Sequence, residues 1–194
     1  MQRQTKRRNN TRRAVIVGVV AVLVVGTGAL LFSNKSTPTT TTAASSATTT
    51  TSSSASPGPV TTIPNPSPAG KFGTAPTVVV PTTPPPTSLE ISNLIPGSGA
   101  TAKAGDTLKV QYVLATYSTH KVIQSSWVTQ PYSFKLGVGH VIPGWDQGMI
   151  GMRVGGRREL IIPPALGYRD TSPGAGIAKN DTLVFVVDLL KVTP

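Results

Sequence analysis

The sequence predicts an α+β fold, an antiparallel β-sheet wrapped around one short α-helix, preceded by a single transmembrane helix and a disordered linker. Three observations lead there. The composition changes abruptly along the 194 residues, from an apolar run to a Ser/Thr/Pro tract and then, from Ser88, to the mixture of a globular domain. Within that last part, several short segments alternate apolar and polar residues with the period of a strand. One segment, Val141-Ile142-Pro143-Gly144-Trp145-Asp146-Gln147-Gly148-Met149, opens a helix instead: Pro is pre-set for a first helical turn, where its missing N–H costs nothing.

The chain begins with a basic tail. Residues 1–13 carry six Lys/Arg and no acid. Residues 14–32 (AVIVGVVAVLVVGTGALLF) have Thr27 as their only polar side chain. As a helix they span roughly 28 Å, close to the ~30 Å hydrocarbon core of a bilayer. The preceding charges predict a cytoplasmic N-terminus and an extracytoplasmic C-terminal domain, a single-pass protein of the cell membrane. The apolar run exceeds the usual ~7–15 residues of a cleaved signal peptide, which favours an uncleaved signal anchor.

Residues 33–87 are a different material. Of these 55 residues 36 are Ser, Thr or Pro, and Lys35 and Lys71 are the only charges. Such a tract buries too little apolar surface to offset its ordering entropy, so a disordered linker is predicted, with Val78-Val79-Val80 as part of it.

Residues 88–194 are expected to hold one modest core. Leu108, Val110, Tyr112 and Leu114 form one face of a strand; Tyr132, Phe134 and Leu136 form one face of another. Glu159 to Ile162 is a short strand after the Gly155-Gly156 turn. Leu183 to Leu190 is apolar on both faces, which predicts a central strand. Trp145 and Met149, four apart, share one helical face, with Met152 near it. The Pro- and Gly-rich segment between Pro163 and Asp181 is too irregular for a strand, and a loop of that length is usually functional.

Composition also narrows the function. The chain has no Cys, so thiolate metal sites, disulfides and thiol nucleophiles are excluded. Net charge is +11, but residues 88–194 hold ten Lys/Arg against seven Asp/Glu, so no nucleic-acid partner is expected of the domain. His120 and His140 have no carboxylate at metal-ligand spacing, and no nucleophile elbow or phosphate loop is present, so no metal or other cofactor is predicted. What remains is an aromatic set of Tyr112, Tyr132, Phe134, Trp145, Tyr168 and Phe185. An apolar binding pocket is one reading of it, but on periodicity alone the set reads as core.

Four ordered segments resemble the FKBP-type peptidyl-prolyl cis–trans isomerases, a family that also binds macrolides such as rapamycin. Val141-Ile142-Pro143-Gly144-Trp145 resembles the family's Val-Ile-x-Gly-Trp, and residues 151–158 (GMRVGGRR) resemble its Gly-Met-x-Val-Gly-Gly-x-Arg turn. Ile162-Pro163-Pro164-Ala165-Leu166-Gly167-Tyr168 and Thr182-Leu183-Val184-Phe185 complete the set. The resemblance implies that Trp145 floors a pocket under the substrate proline ring. Tyr112, Tyr132, Val141, Ile142, Ile177 and Phe185 would wall it, with Phe134 beside them. The Ile142 N–H and the Tyr168 hydroxyl would bind substrate carbonyls. Where the family usually has Phe-Asp, this chain has Ile123-Gln124: an apolar wall without the ring, and an acceptor without the charge. Arg169 stands where the family commonly has Gly.

The resulting expectation is an isomerase of X-Pro bonds in exported or cell-envelope proteins. Its partners would be proline-containing polypeptides and macrolides, with the membrane engaged through the N-terminal helix, and it would be a monomer. The alternative is a catalytically weak prolyl-peptide-binding chaperone or adaptor; a third reading is a surface structural protein.

Overall fold

A computed structural model describes residues 61–194. The basic tail (1–13), the predicted anchor (14–32) and the first half of the predicted linker (33–60) lie outside the described residues. Among the described residues no helix is long and apolar enough to cross a membrane.

The strands are β1 (Thr61–Thr62), β2 (Glu90–Pro96), β3 (Thr107–Thr116), β4 (Lys121–Ser125), β5 (Tyr132–Lys135), β6 (Gly156–Ile162) and β7 (Leu183–Thr193). They form one sheet in the order β1-β2-β6-β7-β3-β4, with β5 pairing β3 as well. Every pairing is antiparallel except β1 with β2, which is parallel, so the sheet is mixed and not antiparallel as expected. β7 lies between β6 and β3, as its apolar run predicted.

The single α-helix, α1 (Pro143–Gly148), has Pro at its start and buries Gly144, Trp145 and Gly148. Six residues make a helix too short to stand alone, so packing holds it. A Cβ on Gly144 would run into the Ile162 side chain, and one on Gly148 would come within 2.7 Å of Leu160. Glycine at these two positions lets the helix lie directly on β6. The core fills the space between α1 and the inner sheet face, with Leu108, Leu114, Leu136, Met149, Leu160, Ile162, Leu183 and Leu189 all below 2% exposed.

The outer face holds the main departure from expectation. Residues 61–83, assigned by composition to a disordered linker, are laid across the sheet as a strap. Ile63, Val78 and Val80 pack on Ala115, Tyr117, Ile161 and Val184 in a second apolar cluster. Ser67 donates its N–H (2.8 Å) and its hydroxyl to the Glu159 carboxylate. Arg157, wholly buried and paired with Asp188, also donates to the carbonyls of Ala69 (2.9 Å) and Thr74 (2.6 Å). The Gly73 N–H donates to Asp188 (3.0 Å), and the Tyr117 hydroxyl donates to the Thr83 carbonyl (3.0 Å). These contacts bury three charged side chains of β6 and β7 that would otherwise face water.

Candidate functional site

The inner sheet face, α1 and the loop after β6 line a small open concavity. Its lining is Tyr112, Leu114, Gln124, Val141, Ile142, Trp145, Tyr168 and Phe185. The strand period puts Tyr112 and Leu114 on one face of β3 and Phe185 on the inner face of β7. The helix carries Trp145 up from below, 3% exposed. Four aromatic rings surround its indole: Phe185 at 5.2 Å between centroids, Phe134 at 5.3 Å, Tyr112 at 5.4 Å and Tyr132 at 6.3 Å. All four are edge-on or tilted, the favourable arrangement for aromatic quadrupoles. The Trp145 Nε1 is buried with no hydrogen-bond partner among the described residues.

Six predicted positions, with Gln124 and Val141 among them, line this concavity together: Tyr112, Gln124, Val141, Ile142, Trp145 and Tyr168; Phe185 is a seventh. Tyr132 and Phe134 stand one layer back, stacked on each other at 5.7 Å and supporting Trp145. Ile177 is buried in the same core, and Ile123 packs against that core's edge. Gln124 and Ile123 reach the inner side through an irregularity: the β3–β4 register shifts between Leu114↔Gln124 and Ala115↔Val122, leaving Ile123 as a bulge. In a regular strand these neighbours would point to opposite faces; a bulge re-aims them.

Leu114 was visible as part of an apolar strand face but was not singled out as a lining residue. Ser126 was missed as well. β5 pairs β3 up to Val110 and β4 pairs it from Val113, leaving a gap at Gln111 and Tyr112. The Ser126 hydroxyl fills it, accepting the Tyr112 N–H at 2.8 Å and donating to the Gln111 side-chain carbonyl. No sequence period announces such a role.

Around the concavity the polar groups are neutral. Burial, with Tyr168 and Tyr132 close by, pushes the Tyr112 phenol up to about 12. Burial also raises Tyr168, with Tyr132 adding to it, and burial raises Tyr132. Three phenols therefore remain protonated donors well above neutral pH, beside the Gln124 amide. The Ile142 carbonyl accepts from the N–H groups of Trp145 (2.9 Å) and Asp146 (3.3 Å), while its own N–H donates to no group among the described residues. Tyr168 is carried by the Pro163–Asp181 loop, which opens with a 3-10 turn (Pro164–Leu166) and is tied by its own backbone. The Arg169 N–H donates to the Pro164 carbonyl (3.0 Å) and the Arg169 carbonyl accepts from Asn180 (2.6 Å). Arg169 is held left-handed at φ 54°, a conformation that glycine adopts without strain. No group of three or more His, Asp or Glu that could hold a metal occurs among the described residues. An apolar slot with neutral hydrogen-bonding tips suits a reaction that makes and breaks no covalent bond.

Comparison with known proteins agrees with this geometry. The profile of the FKBP-type peptidyl-prolyl cis-trans isomerase family matches residues 99–190. An FK506-binding protein of Streptomyces anulatus is 50% identical over 110 residues, covering 56% of this chain and 89% of that relative. A probable FK506-binding protein of Corynebacterium glutamicum is 37% identical over 115 residues, covering 59% of this chain and 96% of the other. The crystal structure of FkpA from Escherichia coli superimposes with a TM-score of 0.50 at 38% identity, over 56% of this chain and 49% of that one. The chain belongs to the FKBP-type peptidyl-prolyl cis–trans isomerases, and its activity is prolyl isomerisation.

Proposed function

We propose that the Trp145-floored concavity is the catalytic site and that it acts on X-Pro bonds of exported or cell-envelope polypeptides. The observation that carries the site is the convergence of Tyr112, Ile142, Trp145, Tyr168 and Phe185 on one open apolar slot whose polar tips are all neutral. Resonance gives the peptide C–N bond partial double-bond character and a rotation barrier of about 18–20 kcal/mol. Trp145 and Phe185 take the proline ring out of water. In that slot the charge-separated resonance form of the amide loses solvation and the bond loosens. The Ile142 N–H and the Tyr168 hydroxyl hold carbonyls of the flanking chain while the carbonyl before proline turns. Contacts that fit the twisted amide better than either planar form lower the barrier, and each ~1.4 kcal/mol of such preference is tenfold in rate. Gln124 offers the turning amide a donor and an acceptor without a charge.

The location follows from the N-terminal sequence: six positive charges before 19 apolar residues support a single membrane anchor with the domain outside. Uncatalysed isomerisation takes tens to hundreds of seconds, slow enough to limit the folding of secreted chains. Because relatives are named FK506-binding proteins, the same slot is the natural site for a macrolide such as rapamycin.

The test uses the full chain in detergent micelles and an X-Pro peptide whose cis–trans exchange is followed by nuclear magnetic resonance. Acceleration that is lost in Trp145→Leu and blocked by rapamycin supports the site. Saturable peptide binding without acceleration would replace the enzyme with a prolyl-binding module. Protease added outside intact cells should remove the domain; protection until lysis would overturn the extracytoplasmic placement.

A further inference from the structure

We infer that Arg158 is a positioning residue for the isomerase reaction, setting the height of the Trp145 floor by clamping the C-terminal end of α1. The inference rests on the reading of the Trp145 concavity as the catalytic site. Arg158 lies on β6 and is 6% exposed. The single ion pair among the described residues is that of its neighbour, Arg157 with Asp188. Arg158 is instead surrounded by carbonyl groups. Its Nη1 donates to the Gly148 carbonyl at 2.6 Å and to the Ile150 carbonyl at 3.0 Å, while Nε donates to the Asn93 side chain at 2.8 Å. Burial lowers its pKa to about 10, so it is still a cation at neutral pH.

Gly148 is the last residue of α1 and Ile150 lies two beyond it. Their carbonyls belong to the negative end of the helix, where a cation is favourable. Trp145 lies three residues before Gly148, within the same turn. α1 is tied a second time: the Asp146 carboxylate, two residues before Gly148, accepts the N–H groups of Gly137 (2.7 Å) and Gly139 (2.9 Å). The helix therefore has a glycine face on β6, a carboxylate tie at Asp146 and a guanidinium tie at its end. The close approach of Gly144 and Gly148 to Ile162 and Leu160 fixes its distance from the sheet. Arg158, anchored on β6 itself and oriented from β2 by Asn93, is the side chain that grips the carbonyls at the C-terminal end of the helix. A shift of about 1 Å in a substrate-contacting group can cost about a hundredfold in rate.

The experiment compares Arg158→Met, Arg158→Lys and Asn93→Ala in the full chain, in a Trp127→Phe background so that Trp145 is the sole emitter. We expect Arg158→Met to remain folded at the assay temperature, lower kcat/KM by about tenfold or more and shift Trp145 emission. Arg158→Lys, which keeps the charge but loses the planar fork and the bond to Asn93, should recover part of the loss without reaching the parent. Asn93→Ala should fall between them. Unchanged kcat/KM in Arg158→Met, or a loss that lysine does not recover and that leaves Trp145 emission unmoved, would overturn the role. Should Arg158→Met fail to fold, Arg158→Lys and Asn93→Ala decide, and parental kcat/KM in both contradicts the inference. Trp145→Leu separates the two levels: if it keeps full activity, the catalytic site has been misplaced, whatever Arg158 does.

Discussion

Tyr168 shows how little chemistry single residues supply here. Its phenol, raised by burial, stays protonated and can only donate or accept a neutral hydrogen bond. Such a bond contributes about 0.5–1.5 kcal/mol net. Tyr168→Phe should therefore lower kcat/KM by about two- to tenfold, read by peptide exchange, and leave stability nearly unchanged. A loss of several thousandfold would mean that the hydroxyl does something other than hold a carbonyl. Glu159 is the contrasting residue, buried outside the site and bonded to Ser67. Desolvation raises its pKa above the ordinary value near 4.5, and the two bonds from Ser67 only partly oppose that. With the folded pKa raised, the folded state holds the proton more tightly than the unfolded chain. The stability Glu159 contributes is full below about pH 4.5 and is lost as pH rises through the folded value. Urea melts of the full chain should show a fall in stability over that window, and the fall should be absent in Glu159→Gln.

At the scale of elements, α1 and the strap make the clearest predictions. Gly144→Ala places a methyl against Ile162, so about 1–3 kcal/mol of stability should be lost in urea melts as the helix is pushed off β6. Ile63, the strap residue buried against the sheet at 3% exposed, should cost about 2–5 kcal/mol as Ile63→Ala; an effect below about 0.5 kcal/mol would mean that the strap does not pack. The elements differ in how plainly the chain announces them. β3 and β7 were legible because Leu108, Val110, Tyr112 and Leu114 alternate and Leu183–Leu190 is continuously apolar. β4 was not, since the bulge at Ile123 breaks the alternation of Lys121–Ser125. β2 was not, because it is only half-buried and its exposed Asn93 faces polar partners. The strap escaped for another reason. Its composition is that of a disordered tract, and its attachments are main-chain groups of Ala69, Gly73, Thr74 and Thr83, one serine and three aliphatic residues. Hydrogen bonds from the main chain leave no trace in residue type. The aromatic site was legible as a set of residues, but periodicity alone favoured core, and the roles of Ser126 and Arg158 depend on a strand gap and a helix end that only the fold defines.

For the whole molecule, the two faces of one sheet are put to different uses. The inner face carries the helix and the slot; the outer face is closed by the segment that leads back towards the N-terminus. Residues 61–83 thus belong to the folded domain, and the tether proposed to reach a membrane is shorter than composition implied. The central claim is that rotation about the X-Pro bond is catalysed by an apolar slot and neutral donors, with no group that titrates near neutrality. The most direct measurement is the pH profile of kcat/KM for X-Pro exchange by the full chain, from about pH 6 to pH 9. With Tyr112 pushed up to about 12 and Tyr168 and Tyr132 also raised, the profile should be flat to within about twofold. A bell, or a step of tenfold with its midpoint inside that range, would contradict the account and point to an acid or base in the reaction.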